Sequence, residues 1–389
     1  MNILKRIYRI AIRECGIIRS NPIYLFCMVL FPIVVVFFFT SLMNEGQPTD
    51  MPVGIVDLDN TTTTRGLARK LDAFQTTKIV AHYPNINEAR NAIQRNEIYA
   101  FLYFPRNTTS DLFASRQPKI SFYYNLASIT SGNLLFRDLK TISTLGSAAV
   151  GAAKLSALGK TSEEIKTFLQ PIAIGLHPIN NPEINYNVYL TSALTPACLL
   201  LFIFLITAYS IGTELKFNRS KEWLKASGNN IVIALIGKML PQFLIFLSIF
   251  YMYLFYVFQV MGFPHAGGTF SILFLGFITV VSAQGMGIFA FGLTPSLRMS
   301  MSICSLWAAL SFSIMGSTFP LNAMDPEIEA IAQLFPMRHY FMIYQINVFN
   351  GYSFMDAWPN IAALILFTFL PVMVLHRIKK AMLEYVYIP

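Results

Sequence analysis

Long apolar stretches are the feature that most restricts how this chain can fold. Hydrophobic residues make up 54% of it and charged residues only 13%, whereas an average soluble domain carries about 25% charged residues. A helix needs about 20 apolar residues to cross a bilayer. We therefore predict a polytopic α-helical membrane protein with six transmembrane helices, at residues 22–43, 188–210, 231–261, 270–293, 299–319 and 361–375.

A charged segment, residues 211–228, separates the second apolar stretch from the third and is predicted to be a short loop. Its basic residues outnumber its acidic ones, and an excess of Lys and Arg in a short loop marks the cytoplasmic side. Basic residues at other candidate cytoplasmic ends account for the formal net charge of +9, so this charge does not indicate a nucleic-acid partner. The arrangement places both termini in the cytosol.

Residues 1–21 have the pattern of an amphipathic helix that lies in the membrane interface on the cytosolic side. Apolar residues such as Ile3 and Ile7 fall on one face, whereas Arg9 and Arg13 point elsewhere. The alternative is the basic start of a signal peptide. We reject it because the following apolar stretch is too long and ends without a small-residue cleavage site.

The polar block of residues 44–185 is predicted to be a folded α/β domain. Short apolar strands alternate with amphipathic helices in the order β-α-β-α-β, with Thr63 or Thr64 capping the first helix and Asn87 the second. A further strand, one long helix or two, and a short helix follow. With the charged loop inside the cell, this block is extracytoplasmic, inserted between the first and second transmembrane helices.

Residues 186–389 are predicted to form a transmembrane domain of five helices. Between the last two helices, residues 320–357 contain two partly apolar helices broken by Pro326 and Pro336. These pieces are too short to cross the membrane twice, so we expect a re-entrant segment in the outer leaflet.

The middle of each apolar stretch is free of Asp, Glu and Arg, and Lys238 lies near the cytoplasmic end of the third stretch. Ion-coupled transporters usually keep an ionisable group near the midplane, so transport by this chain should draw on an outside energy source. The sequence has no nucleotide-binding motif, and its four cysteines lack metal-site or disulfide spacing. We expect no cofactor and no metal, with ATP hydrolysis on a separate subunit.

Several short motifs follow one another along the chain. They are Glu14, Asn21-Pro22, Phe31-Pro32, the segment VGIVDLDNTTTTRGLARKL, the charged loop, Phe319-Pro320, Met324-Asp325-Pro326 and Leu334-Phe335-Pro336. In this order the chain resembles, over its whole length, the membrane (permease) subunits of bacterial ABC exporters of the type-2 class. Relatives carry Gly-Thr where this chain has Arg219-Ser220, and Arg ahead of a Gly where it has Gln345 and Gly351.

The resemblance implies that the loop at 211–228 contains a coupling helix that sits on an ABC ATPase subunit. The residues expected to couple the two proteins lie in this loop, except for one in the amino-terminal helix. They are Glu14, Glu214, Arg219, Ser220, Glu222, Trp223 and Leu224. The resemblance also implies the bacterial plasma (inner) membrane as the location. Further expected partners are a second permease chain, a periplasmic adaptor and membrane lipid.

Two permease chains, identical or closely related, are expected to line a pathway with their second and fifth transmembrane helices. The cargo expected there is lipophilic or amphipathic, drug-like or lipid-like, and it would meet Thr195, Phe202, Ser313, Met315 and Phe319. Small residues also recur at four-residue intervals in the fifth stretch, where another helix could approach closely. They are Ser305, Ala309, Ser313 and Ser317.

Two other classes of protein remain as alternatives. A membrane-anchored sensor could use the extracytoplasmic domain to bind a ligand, but five further helices without a cytosolic output domain make this a poor fit. A membrane-embedded enzyme is the third class. The sequence contains no HExxH or GxSxG motif and no paired intramembrane carboxylates, so we expect no enzymatic activity of the chain itself.

Overall fold

The computed structural model describes residues 2–114, 116–172 and 175–385. The chain divides into two compact units. The helical unit comprises Met1–Asn44 and Ile179–Pro389, and the α/β unit comprises Glu45–Pro178. The α/β unit is thus inserted into the helical unit between the first and second long apolar helices.

The helical unit begins with the amphipathic helix α1 (Ile3–Ser20). Six helices of the described residues are long and apolar enough to cross a membrane, which confirms the predicted number. They are α2 (Pro22–Leu42), α8 (Asn187–Lys216), α10 (Ile231–Val260), α11 (Gly268–Leu293), α12 (Leu297–Ile314) and α15 (Trp358–Glu384).

Three of these helices end well away from the residues that the sequence pattern predicts. Helix α8 continues through the first part of the segment 211–228 and ends at Lys216, because Ile211–Leu215 are buried against neighbouring helices. Helix α12 ends at Ile314, so Phe319 lies beyond it. Helix α15 extends past the predicted apolar stretch at both ends. At its C-terminal end, the polar last turns also keep helical geometry.

Shorter helices connect the long ones. Helix α9 (Ser220–Ser227) follows α8 and ends at Gly228, whose φ of +73° suits a residue without a side chain. Between α12 and α15 lie α13 (Pro326–Ala332) and α14 (Pro336–Ile343), each with proline in its first turn. Proline is tolerated there because the first-turn N–H groups have no partner within the helix.

Contacts among the long helices build one continuous apolar core. Helix α8 packs against α11 and α12, and α11 also packs against α10 and α15. Helix α1 packs along α10 and touches α9, so it belongs to this core rather than lying apart from it. The amino-terminal helix, the short helix α9 and the start of α10 therefore meet in one place.

The α/β unit contains a four-stranded sheet in the order β2-β1-β3-β4. Strands β1 (Met51–Asp57), β2 (Thr77–His82) and β3 (Ala100–Phe104) are parallel, and β4 (Ser121–Tyr124) is antiparallel to β3. The helices of the unit are α3 (Thr62–Asp72), α4 (Ile86–Gln94), α5 (Thr108–Phe113), α6 (Ile129–Ala157) and α7 (Ser162–Leu169). The predicted alternation of strands and helices is present.

The caps of α3 and α4 lie earlier than predicted. Thr61 accepts from the Thr64 N–H group, and Asn85 accepts from the Glu88 N–H group. A cap must precede the first helical residue, since its side chain reaches an N–H group of the first turn. The predicted caps Thr63 or Thr64 and Asn87 lie inside their helices.

Candidate functional site

A cluster of four charged side chains lies where α1, α8 and α10 meet. Lys238 of α10 is its centre: the Lys238 Nζ atom lies 2.6 Å from Glu14 Oε2 and 2.7 Å from Glu214 Oε1. The side chains of Lys238 and Glu14 are fully buried, and that of Glu214 is 1% exposed. One ammonium group therefore joins the amino-terminal helix to the last turns of α8.

Arg13 closes the cluster from the neighbouring position on α1. Its guanidinium donates to both carboxylate oxygens of Glu214, with both N–O distances at 2.8 Å. Burial alone would lower the pKa of Arg13, but its hydrogen bonds and charge attraction to Glu214 raise this pKa above its ordinary value. Such paired, charge-assisted bonds are stronger and more directional than single ones.

The remaining contacts of the cluster come from α9 and α10. Gln242, one helical turn after Lys238, donates to Glu14 Oε1 at 3.0 Å. The Trp223 ring of α9 is fully buried, and its centroid lies 5.6 Å from the Lys238 ammonium. An ammonium over an indole face is attracted by the ring electrons, more strongly in a desolvated place. Lys238 thus contacts all the helices that converge here.

Close backbone packing holds α1 against α10 beside the cluster. A Cβ atom on Gly237 would lie 2.8 Å from Ile10 Cβ and 3.0 Å from the Ile7 carbonyl oxygen. A real side chain is therefore excluded at this position unless the helices separate. Arg6 also donates to the Ser227 carbonyl oxygen at the end of α9, at 3.3 Å. These contacts hold α1, α9 and α10 together.

The cluster has two positive and two negative groups and is balanced in charge. Burying an unpaired charge is strongly unfavourable, and such groups are kept in proteins when each has a partner of opposite sign. Here every charged group has at least one partner within 2.8 Å. The arrangement can hold the helices in register. Any movement of α1 or α9 would shift the side chains that contact Lys238.

The residues predicted to couple the chain to an ATPase fall into two groups. Most are buried within the helical unit: Glu14, Glu214, Ser220, Trp223 and Leu224. Arg219 is half-buried, with its guanidinium 4.9 Å from the Phe217 ring centroid, and Glu222 is exposed. Of the seven, Arg219 and Glu222 are thus the ones that another protein could touch directly.

The residues predicted to line a pathway do not share one surface of the chain. Thr195 and Met315 are buried, Phe202 is half-buried with its ring 5.0 Å from that of Phe31, and Ser313 and Phe319 are exposed. Helices α8 and α12 pack directly against each other. A space between them is therefore not open within the single chain.

The resemblance to the family indicates Glu14 and Glu214 but not their partners. From the sequence alone, Lys238 is a residue near the end of an apolar stretch, Arg13 is one of the polar residues of the amino-terminal helix, and Gln242 carries no prediction. A signal was present, since Lys238 and Gln242 are four residues apart and share one face of a helix. Two polar side chains on one face of an apolar helix indicate a buried polar contact.

Groups that could hold a metal are absent from the described residues: no cluster of three or more His, Cys, Asp or Glu side chains occurs there. Cys15, Cys27, Cys198 and Cys304 are free thiols. The cluster around Lys238 has carboxylates, but their oxygens already accept from the Lys238 ammonium, the Arg13 guanidinium and the Gln242 amide. Its chemistry is electrostatic and structural.

Comparison with known proteins gives one result. Residues 22–375 match the family model described as ABC-2 family transporter protein, which extends from the first to the last apolar helix. No curated protein matches the chain.

Proposed function

The chain belongs to the ABC-2 family of transporter proteins as a membrane permease, and on this basis we propose that it is the permease subunit of an ATP-driven exporter. Its cargo would be a lipophilic or amphipathic compound, drug-like or lipid-like. Membership in the family implies an ATPase partner, which supplies the energy. The alternative of a membrane-anchored sensor is not favoured, because the family match covers the transmembrane helices themselves.

The proposed topology places both termini and α9 in the cytosol and the α/β unit on the outer side of a bacterial plasma membrane. The basic residues in and beside α9 support this orientation, since Lys and Arg are retained on the cytoplasmic side. Lys216, Lys221 and Lys225 are exposed there. The re-entrant segment, residues 320–357, would then lie in the outer leaflet.

The observation that carries the proposal is the contact of α9 with the buried cluster. The ATPase would press on the exposed face of α9, where Glu222 and the lysines beside it point outward. The opposite face of α9 carries Trp223, whose ring contacts the Lys238 ammonium. Movement of α9 would therefore reach α1 through Glu14 and α8 through Glu214.

A second chain would complete the pathway. Ser305, Ala309 and Ser313 form an exposed line of small residues on α12, whereas Ser317 is buried. Small residues let helices approach closely in a membrane, so this line suits the contact with a second permease chain. Ser313 and Phe319 would then face the pathway between the chains. A periplasmic adaptor would dock on the α/β unit.

The proposal is tested on the exposed face of α9. In this proposal Glu222 faces a basic side chain of the ATPase, so we expect Glu222→Lys to weaken ATPase binding by about tenfold or more by placing two like charges together. The permease and its co-purified ATPase are reconstituted in lipid nanodiscs, and binding and ATP hydrolysis are measured. Glu327→Lys is the matched control, because Glu327 is equally exposed but lies on α13.

The outcomes separate two parts of the proposal. If no ATPase co-purifies with the wild-type chain, the permease function is wrong. If an ATPase binds and both variants behave as the wild type does, the exposed face of α9 is not the docking surface. Loss of binding in Glu222→Lys alone supports both parts.

A further inference from the structure

The α/β unit contains a cavity of about 730 Å³ that none of the predicted roles uses. Helices α3 and α6 form two of its walls, and residues 116–120, which precede β4, form a third. Small-molecule sites in proteins typically have volumes of about 300–1,000 Å³. The cavity is therefore large enough to hold a molecule of drug or lipid-fragment size.

The inner part of the cavity is apolar. Leu67, Ile120 and Ile142 line it, and the same side chains border a small gap against Leu102 and Phe104 of β3. The cavity therefore sits directly on the core of the sheet. A hydrocarbon chain or ring placed here would be removed from water, which favours binding.

The outer part of the cavity is cationic. Lys70 of α3, Arg116 and Lys119 of the third wall and Lys154 of α6 line it, and the described lining residues include no Asp or Glu. Arg116 is paired with Asp111 at 3.1 Å. No ion pair of Lys70 or Lys119 is found among the residues that the structure describes. These two lysines are therefore the groups available to an anion.

We infer that this cavity binds an anionic amphiphile, a molecule with a phosphate or carboxylate head and an apolar body. The head would lie between Lys70 and Lys119, and the apolar body would reach Leu67 and Ile142. The hydroxyl groups of Thr62 and Thr63, which also line the cavity, can donate to the oxygens of the head. A purely apolar or purely ionic ligand would use only half of this lining.

The test uses the full-length chain in nanodiscs of zwitterionic lipid and hexyl phosphate as the probe. Binding is measured by calorimetry, with empty nanodiscs as the blank. Inorganic phosphate presents the head alone and hexanol the tail alone. We expect hexyl phosphate to bind at least about tenfold more tightly than either part.

Two variants change the cavity in different ways. Lys70→Glu should weaken binding of hexyl phosphate at least about tenfold, because it places a negative charge beside the head. Gly66→Leu should weaken binding by filling the cavity: Gly66 lines it, and a Cβ atom there meets no other atom within 4 Å. This substitution also favours the helix, so loss of the fold is not expected to explain the result.

Lys140→Glu is the matched control, since Lys140 is exposed on α6 but does not line the cavity. The control should bind hexyl phosphate as the wild type does. Equal binding by all four proteins, or no binding by the wild type, would overturn the inference. Equal affinity for inorganic phosphate would reduce the site to an ion site, and equal affinity for hexanol would remove the role of the lysines. Either result would contradict the inference that the cavity binds an anionic amphiphile.

Discussion

Lys238 Nζ lies 2.6 Å from Glu14 Oε2, although the two residues are 224 positions apart in the chain. Both side chains are fully buried. The contact joins the amino-terminal helix to α10, and Glu214 on the other side of Lys238 adds α8. The junction that we propose as the coupling site is therefore also the place where these three helices are joined by buried charges.

Removing the central charge should strongly destabilise the helical unit. In Lys238→Met the side chain keeps most of its volume, but Glu14 and Glu214 face each other with Arg13 as the remaining cation. We expect a loss of about 3–5 kcal/mol in the free energy of unfolding, the usual cost of breaking a buried pair. Thermal unfolding of the purified chain measures it.

The control for this variant is Lys380→Met. Lys380 pairs with Glu384 at 3.9 Å, and both side chains are more than half exposed. Exposed pairs contribute about 0–1 kcal/mol, so this substitution should have little effect. Equal stability of the two variants would show that the cluster does not hold the helices together.

Arg13→Lys tests the paired hydrogen bonds to Glu214. A lysine keeps the charge but cannot donate to both carboxylate oxygens in one plane. We expect a loss of about 1 kcal/mol from the missing bond, measured by the same unfolding experiment. Arg9→Lys, at an exposed position of the same helix, should change stability by less than about 0.5 kcal/mol. A loss of equal size in both variants would contradict the role of Arg13.

Gly285→Ala tests how closely α11 approaches α15. A Cβ atom on Gly285 would lie 2.4 Å from the Phe367 carbonyl oxygen and 2.9 Å from Thr368 Cα. Because these are backbone atoms, the helices must separate, and overpacking of this kind costs about 1–3 kcal/mol. The free energy of unfolding should fall by this amount.

Gly16→Ala is the opposite case on α1. A Cβ atom on Gly16 meets nothing within 4 Å, and alanine favours a helix over glycine by up to about 1 kcal/mol. This variant should be as stable as the wild type or more so. If Gly285→Ala were equally harmless, the close approach of α11 and α15 would be wrong.

Asp59 should make the α/β unit less stable in acid. Burial alone would raise its pKa, but hydrogen bonds from the Thr109 N–H and hydroxyl groups and from the Thr61 hydroxyl lower this pKa below its ordinary value. A lowered pKa of an acid stabilises the fold above the ordinary value, and this stability is lost as the pH falls through the folded-state pKa. The window therefore lies below about pH 4.

The measurement is hydrogen exchange of the amides of β1 and α3 against pH. Asp59→Asn should exchange faster than the wild type at neutral pH, and the two should converge in acid. A constant difference at every pH would contradict the assignment to ionised Asp59.

Asp138 should behave in the opposite way. Burial raises the pKa of Asp138 above its ordinary value, and this outweighs the lowering by Arg137, whose Nε atom lies 3.6 Å away. A raised pKa of an acid stabilises the fold below the ordinary value, and that contribution is lost as the pH rises through the folded-state pKa. Asp138→Asn should therefore remove this pH dependence.

The check for Asp138 is hydrogen exchange of the amides of α6 across the same pH range. Protection in the wild type, relative to Asp138→Asn, should fall from acid to neutral pH. A rise instead would mean that the ion pair with Arg137 outweighs burial.

The number of apolar helices and the alternation of strands and helices were predictable because both follow from local patterns. A run of apolar residues such as 231–260 is buried either in a membrane or in a protein core. The caps Thr61 and Asn85 lie two or three residues before the predicted ones, since several neighbouring side chains could serve equally well. The end of α8 was missed because Glu214 looks like a loop residue until its partners are known.

The sequence by itself determined that this chain is a membrane protein with an inserted α/β unit, and its motifs indicated the family. These properties depend on composition and on periods of two to four residues, which can be read along the chain. Only the tertiary structure decided that Glu14 and Glu214 share Lys238, or that Lys70 and Lys119 line one cavity. Such neighbours are brought together by helix packing, so the spacing of residues along the chain does not reveal them.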